Sequence, residues 1–281
     1  MALPIDKLGT TTAAHTATVD PDRAKRYAAA TNDDNPAYLS GACAPPVFAV
    51  VPTWPALLEA NAAMIPPAAM AHVVHGEQDM WFHQPLVPGM VLTTTATLHS
   101  VRVGSSGTRF TALLKAVDAS GAPVCDIYNT AFVRGMTDGT GGGPDKPDHT
   151  FPEEARSRPA GRYTVHMDAD QTFRYAEASG DTMPIHLDEA AARAAGLPGI
   201  IVHGLCTMAA CSQAVIRTVC GSDPTRLRRL AVRFSRNVFP DSDVVVSLYD
   251  VGPVGDGRHA WAFEAHSRGE LVVSHGRAET A

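Results

Sequence analysis

Hydrophobic and polar positions run through the same order twice along the chain. Each round opens on a short amphipathic stretch, DPDRAKRYAAA (20–30) and DADQTFRYAEA (168–178), led by aspartates suited to capping a helix. A polar turn follows, holding Asp33 in the first round and Asp181 in the second. Then come long apolar runs, VFAVVPTWPALLEANAAM (47–64) and IIVHGLCTMAACSQAVIRTV (200–219). Their length predicts buried helices, the first kinked or delayed by Pro52 and Pro55. Segments rich in β-branched residues come next. They are 90–103, 108–117 and 123–135 in the first round, and 243–251, 258–266 and 270–278 in the second. Gly-, Ser- and Asp-rich turns bound them, which predicts antiparallel hairpins. A helix apolar over most of its surface needs a wrapping, so the pattern predicts an α+β fold with a sheet curled around one long central helix, twice.

Individual residues bear out the duplication. An offset of 148 places Tyr27 on Tyr175, Asp33 on Asp181 and Pro36 on Pro184. An offset of 152 places Phe82 on Phe234 and Pro88 on Pro240. The four extra residues fall after His186, in LDEAAARAAGLP (187–198), opposite the shorter LSGACAPP (39–46). Residues 136–161 are rich in Gly, Pro and charge, and nearly free of aliphatic side chains. The expected organisation is therefore an N-terminal repeat over 1–136, a linker over 137–160 and a C-terminal repeat over 161–281.

Composition narrows the function. The 281 residues carry a net charge of −6, which argues against a general binder of nucleic acid or anionic membrane. No run of about 18 apolar residues is evident, so no membrane span is expected. The start, MALPIDKLGT, lacks the basic and apolar pattern of a signal peptide. Five cysteines without a CxxC pair suit a reducing cytoplasm. No Gly-rich phosphate loop is present, so no nucleotide cofactor is indicated.

Asp181 and His186 stand five residues apart in a Gly-Asp-Thr-Met-Pro turn, and His203-Gly204 lies near the start of the second apolar run. The stretch ASGDTMPIHLDEAAARAAGLPGIIVHGLCTMAA (178–210) resembles the signature of the MaoC-like, (R)-specific enoyl-CoA hydratases. These are called hydratase 2 where they form a domain of peroxisomal multifunctional enzymes. HVVHGEQDMWFHQPLVPGMVL (72–92) is similar to the first-half signature of their two-domain members. The resemblance implies a double hotdog fold, an acyl-CoA substrate and no cofactor. It places the catalytic aspartate on Asp181, the catalytic histidine on His186 and the oxyanion N–H on Gly204. One position departs: where the family usually has Asn, this chain has Met183, whose side chain cannot make an amide's hydrogen bonds.

The chemistry explains the residue types. Hydrating a 2-enoyl thioester to a 3-hydroxyacyl thioester needs a donor aimed at the developing enolate oxygen. A helix N-terminus beginning on glycine offers free N–H groups and room for the thioester. A carboxylate and an imidazole sharing one water can handle its protons. Met183, His203, Arg233 and Arg236 are the candidate substrate-binding residues, the arginines for the phosphates of coenzyme A. The trio His75, Glu77 and Gln78 lacks a second ligand cluster, so no metal is expected. In the first repeat Tyr38 replaces the histidine, and Val51-Pro52 replaces His-Gly. That repeat is expected to be catalytically silent and to accommodate the acyl tail, whether a long fatty acyl chain or a bulky steroid side chain. Two other functions stay open: a hotdog acyl-CoA thioesterase, and a non-catalytic acyl-CoA-binding protein. A monomer of two halves and a homodimer both fit.

Overall fold

The structure is a computed structural model that describes residues 3–281. In chain order the first half contains β1 (His15–Thr18), α1 (Pro21–Ala30), α2 (Pro36–Leu39), α3 (Val50–Met64), β2 (Val73–Phe82), β3 (Val91–Val103), β4 (Gly107–Val117) and β5 (Pro123–Arg134). The second half repeats the order with β6 (Pro159–Met167), α4 (Gln171–Ser179), α5 (Glu189–Ala194), α6 (Gly204–Val219), β7 (Leu227–Phe234), β8 (Ser242–Val254), β9 (Arg258–Ser267) and β10 (Glu270–Thr280). A single 3₁₀ turn at Pro184–His186 stands where α2 stood, and α5 has no counterpart. Strand order is the same in both repeats, β1-β3-β4-β5-β2 and β6-β8-β9-β10-β7, and all the pairings within each set are antiparallel. This is the sheet-around-helix repeat expected from the pattern, and the double hotdog that the resemblance implies.

Two compact units form, and they cut across the repeats. One comprises residues up to Thr18, Pro52–Gln84 and Met90–Asp148; the other comprises Val19–Val51, Pro85–Gly89 and His149–Ala281. The units divide between Asp148 and His149, β6 begins at Pro159 inside the segment read as a linker, and α1 and α2 of the first repeat belong to the second unit. The cause is local: α1 packs on α4, with Tyr27 and Tyr175 hydroxyls 3.3 Å apart and their rings 5.4 Å apart.

In the second unit α6 lies against β6, β7 and β8, and every residue from Leu205 to Ile216 is buried. The β8 side chains Val244, Val246 and Leu248 alternate inward with no exposure. Each contributes about 1.5–3 kcal/mol on burial. In the first unit Ala56, Leu57, Ala60 and Met64 bury one side of α3. Pro52 falls in the first turn of α3, and a 3₁₀ turn over Pro46–Ala49 precedes it, so the prolines delay the helix as expected.

Two expectations need correction. The segment Pro46–Met64 is, by length and composition, apolar enough to cross a membrane, contrary to the sequence reading. Most of it is buried within the protein, as a core helix would be. The aspartate before α4 does not cap it; Asp170 instead accepts from Arg174 Nε at 2.9 Å. Asp20 does cap α1, accepting from the Arg23 N–H at 2.7 Å. The glycine-rich crossing is hydrogen-bonded to β3 through Arg102. Arg102 donates to the carbonyls of Gly142 (2.7 Å), Gly143 (2.9 Å) and Pro144 (3.0 Å), using the many donors of a guanidinium.

Candidate active site

The carboxylate comes from the turn that ends α4. Gly180 takes φ +83°, a left-handed C-cap that glycine adopts without strain, and its N–H donates to Ala176 O at 2.8 Å. The next residue, Asp181, is fixed from both sides. Its N–H donates to Ser179 Oγ at 3.1 Å, and its Oδ1 accepts from the Met183 N–H at 3.2 Å. That Asx turn uses only the backbone of Met183, so it survives the departure from the family's asparagine. The Met183 side chain itself is 50% exposed.

Pro184 then starts the single turn that carries His186 inward, where it is buried. His186 Nδ1 lies 2.8 Å from the carbonyl of Ile201. A carbonyl only accepts, so Nδ1 carries the proton and Nε2 presents its lone pair. His203 behaves in the mirrored sense: its Nε2 donates to the Asp181 carbonyl at 3.0 Å, leaving Nδ1 as the lone-pair nitrogen. The two imidazoles stack at 3.8 Å with 26° between planes, and Tyr175 adds a third ring 4.8 Å from His203. Burial lowers the pKa of His186, while the Ile201 carbonyl and the Asp181 charge pull the other way. Burial, with His186 alongside, lowers His203 to about 3. Both rings are therefore neutral near pH 7.

Donor atoms of Asp181, His186 and His203 lie within 4.8 Å of one another. One water can reach two acceptors at that separation with ordinary hydrogen bonds of about 2.8 Å. A metal also needs ligands at such distances, but it must sit in the plane of each coordinating imidazole. Planes stacked 3.8 Å apart and tilted by only 26° do not meet at such a point, so the arrangement suits a shared water better than an ion.

Gly204 is the first residue of α6, as its place in the sequence predicted. The N–H groups of that first turn have no partner inside the helix, and the helix dipole adds positive potential there. The Phe234 ring lies 3.4–3.5 Å from where a Cβ of Gly204 would stand, and forms a wall beside the helix start.

The other predicted residues scatter. Arg236 is exposed and paired with Glu270 at 2.9 Å. Arg233 sits in β7, opposite Ser274 of β10. His75 and Gln78 share the Asn129 amide at 3.0 and 2.9 Å, and Glu77 pairs with Lys146 at 2.7 Å. These are hydrogen-bonded positions of β2. A cavity of about 450 Å³ lined by Thr172, Phe173, Glu189, Ile200, Phe239 and Arg268 does not include Asp181, His186 or Gly204. Sequence reasoning passed over Ser179, Tyr175 and the Ile201 carbonyl, since each acts through an atom or a packing face that no motif marks.

The first-repeat frame is built alike around different side chains. The Asn35 N–H donates to Asp33 Oδ1 at 3.2 Å, the same Asx turn. Where His186 stood, Tyr38 is buried and its hydroxyl has no hydrogen-bond partner among the described residues. Arg217 of α6 reaches Asp33 at 3.8 Å and pairs with Asp34. Burial raises Asp33 to about 6, against the pull of the Asn35 N–H and Arg217. At the Gly204 position stands Pro52, which has no N–H to offer.

Known proteins resemble this chain in sequence and in fold. The model of the MaoC like domain matches residues 151–267, and that of the FAS1-like dehydratase domain region matches residues 6–127. A Dictyostelium discoideum protein named probable enoyl-CoA hydratase 2 is 26% identical over 184 residues, 64% of this chain and 62% of that protein. The 3-hydroxyacyl-thioester dehydratase Y of Mycobacterium tuberculosis is 27% identical over 187 residues, 65% of this chain and 63% of its own. The matches thus span less than two thirds of either relative. The crystal structure of a MaoC-like dehydratase from Phytophthora capsici superposes with a TM-score of 0.84 at 25% identity, covering 99% of this chain and 98% of that one.

Proposed function

We propose that this chain, whose residues 151–267 match the MaoC like domain, is a hydro-lyase that reversibly hydrates trans-2-enoyl-CoA to (R)-3-hydroxyacyl-CoA. The observation that carries this reading is the convergence of the Asp181 carboxylate and the neutral His186 ring within 4.8 Å, beside the N-terminus of α6. In the hydration direction, His186 Nε2 takes one proton from a water whose other hydrogen is held by Asp181. The water oxygen bonds to C3, and the electrons of the double bond move toward the thioester oxygen. The Gly204 N–H stabilises that oxygen. The proton on His186 then passes to C2, so the step neither consumes nor releases protons. Delivery of both groups from one side of the alkene gives the syn addition that the family resemblance implies. Cys206 and Cys211, buried in α6 with thiols pushed up to about 12, take no part.

The first repeat serves the substrate rather than the chemistry in this reading. Pro52 offers no oxyanion donor, Tyr38 no base near neutrality, and the segment corresponding to α5 is missing. Room in place of that segment suits a long or bulky acyl tail. Five buried free cysteines accord with a reducing cytoplasm.

A panel of trans-2-enoyl-CoA substrates of graded size, followed by loss of the enoyl-thioester ultraviolet absorbance, tests the proposal. Asp181→Asn and His186→Ala should each lower kcat by roughly 10²–10⁴-fold, the usual worth of a positioned acid or base, with folding intact. Activity surviving in both variants refutes the assignment. Release of free thiol in place of hydration establishes a thioesterase, and turnover of short chains only removes the tail-accommodating role.

A further inference from the structure

The catalytic turn is held from outside its own repeat. Arg23, on α1 of the first repeat, sends Nε to the carbonyl of Ala178 and Nη2 to that of Ser179, both at 2.7 Å. These are last-turn carbonyls of α4, which no N–H within the helix can satisfy. The guanidinium lies directly over the turn: Arg23 Nη2 is 2.8 Å from where a Cβ of Gly180 would project. Gly180 and Asp181 follow at once, and Ser179 is also the residue whose Oγ accepts from the Asp181 N–H. Arg23 therefore grips the backbone from which the carboxylate is aimed.

The reverse grip exists too, and it shows that the arrangement is built rather than incidental. Gln171 Nε2, at the position of α4 equivalent to Arg23, donates to the carbonyl of Ala30, the residue equivalent to Ala178. Arg174 adds bonds to Ala29 O (2.9 Å) and Asn32 Oδ1 (3.1 Å). Tyr27 and Tyr175 meet between the two helices. Each helix thus secures the polar turn that ends the other. Only the grip made by Arg23 holds a turn with a catalytic carboxylate; the grip made by Gln171 and Arg174 holds the turn of Asp33.

We infer that Arg23 is a positioning residue for the hydratase reaction, through which the silent repeat sets the aim of Asp181. The inference rests on the proposed role of Asp181. Loss of both hydrogen bonds frees the last turn of α4 and lets the carboxylate drift from the shared water. A displacement of about 1 Å at a reacting group costs on the order of 10²-fold in rate. The loss belongs in kcat, because Arg23 acts on the turn and not on the substrate.

The test measures kcat and KM for hydration of a trans-2-enoyl-CoA by the wild type, Arg23→Ala, Arg23→Gln and Arg174→Gln, with folding checked by circular dichroism. Arg23→Ala should lose about 10–100-fold in kcat while KM changes by less than about threefold. Millimolar guanidinium, well below denaturing levels, should restore part of that kcat in Arg23→Ala and none in Asp181→Asn. Arg23→Gln, which keeps donors and a similar reach, should fall between and covers the case in which the alanine variant does not fold. Arg174→Gln should lower the melting temperature yet keep kcat within about twofold, since it loosens the turn that does no chemistry. A folded Arg23 variant with unimpaired kcat, a change in KM alone, or an equal kcat loss in Arg174→Gln overturns the assignment. An inactive wild type sinks the hydratase reading instead, so the two failures are distinct.

Discussion

A methyl group at Gly204 would meet the Phe234 ring at 3.4–3.5 Å, which is ordinary van der Waals contact. The protein itself therefore accommodates Gly204→Ala, and any cost falls on what approaches the helix start. Gly204→Ala should unfold at the wild-type temperature but lose enoyl-CoA turnover, measured by thermal melting alongside the ultraviolet assay. Unimpaired turnover would show that the thioester does not approach there. His186 yields a second prediction. As the proton acceptor it must be neutral, and burial holds its pKa below the ordinary value of about 6.5. The acid limb of kcat/KM should turn down below about pH 6.5. An inflection above neutrality would contradict a buried, neutral base.

Secondary structure carries its own constraints, and β10 shows a tight one. Its register with β9 shifts between Val273 and Gly276, a bulge that brings Gly276 onto Phe263. A Cβ at Gly276 would overlap both the Phe263 ring and its carbonyl. Gly276→Ala should therefore cost about 1–3 kcal/mol or more in chemical denaturation, as overpacking does, whereas Gly204→Ala should not. In the chain, Gly276 reads only as a residue of a strand-like run; the overlap is created by register. The capping of the paired helices was readable in part. Asp20 caps α1 as its residue type suggests, but Asp170 is drawn off by Arg174, a competing partner one turn along.

Across the second unit, the buried His203 and Asp33 push stability in opposite directions with pH. His203 has a folded pKa of about 3, below its unfolded value, so the unfolded chain binds more protons between these values. Its contribution to stability is whole above about pH 6.5 and is lost as pH falls toward 3. Asp33 is the reverse case. Its folded pKa of about 6 lies above the unfolded value near 4, so its contribution is present at low pH and lost as pH rises through 6. Two melting series follow. His203→Asn should flatten the loss of melting temperature between pH 7 and pH 5. Asp33→Asn should gain melting temperature over the wild type as pH rises from 5 to 8, with kcat unchanged because that turn does no chemistry. A difference that shrinks with rising pH would place the Asp33 shift in the wrong direction.

Much of the protein was readable from the chain because the signals are local and duplicated. Hydrophobic periodicity marked both central helices and their hairpins, the offsets of 148 and 152 marked the repeat, and Gly204 marked the start of α6. The family resemblance of residues 178–210 placed the candidate catalytic pair on Asp181 and His186. Sequence order could not reveal that α1 and α2 would join the unit of the second repeat, because which of two similar halves a helix packs on is settled by surfaces formed from distant residues. Nor could it reveal Arg23 on the carbonyls of 178 and 179, or the tautomers imposed on His186 and His203. Those contacts use backbone carbonyls, which every residue has, so only folding brings the particular donors to them.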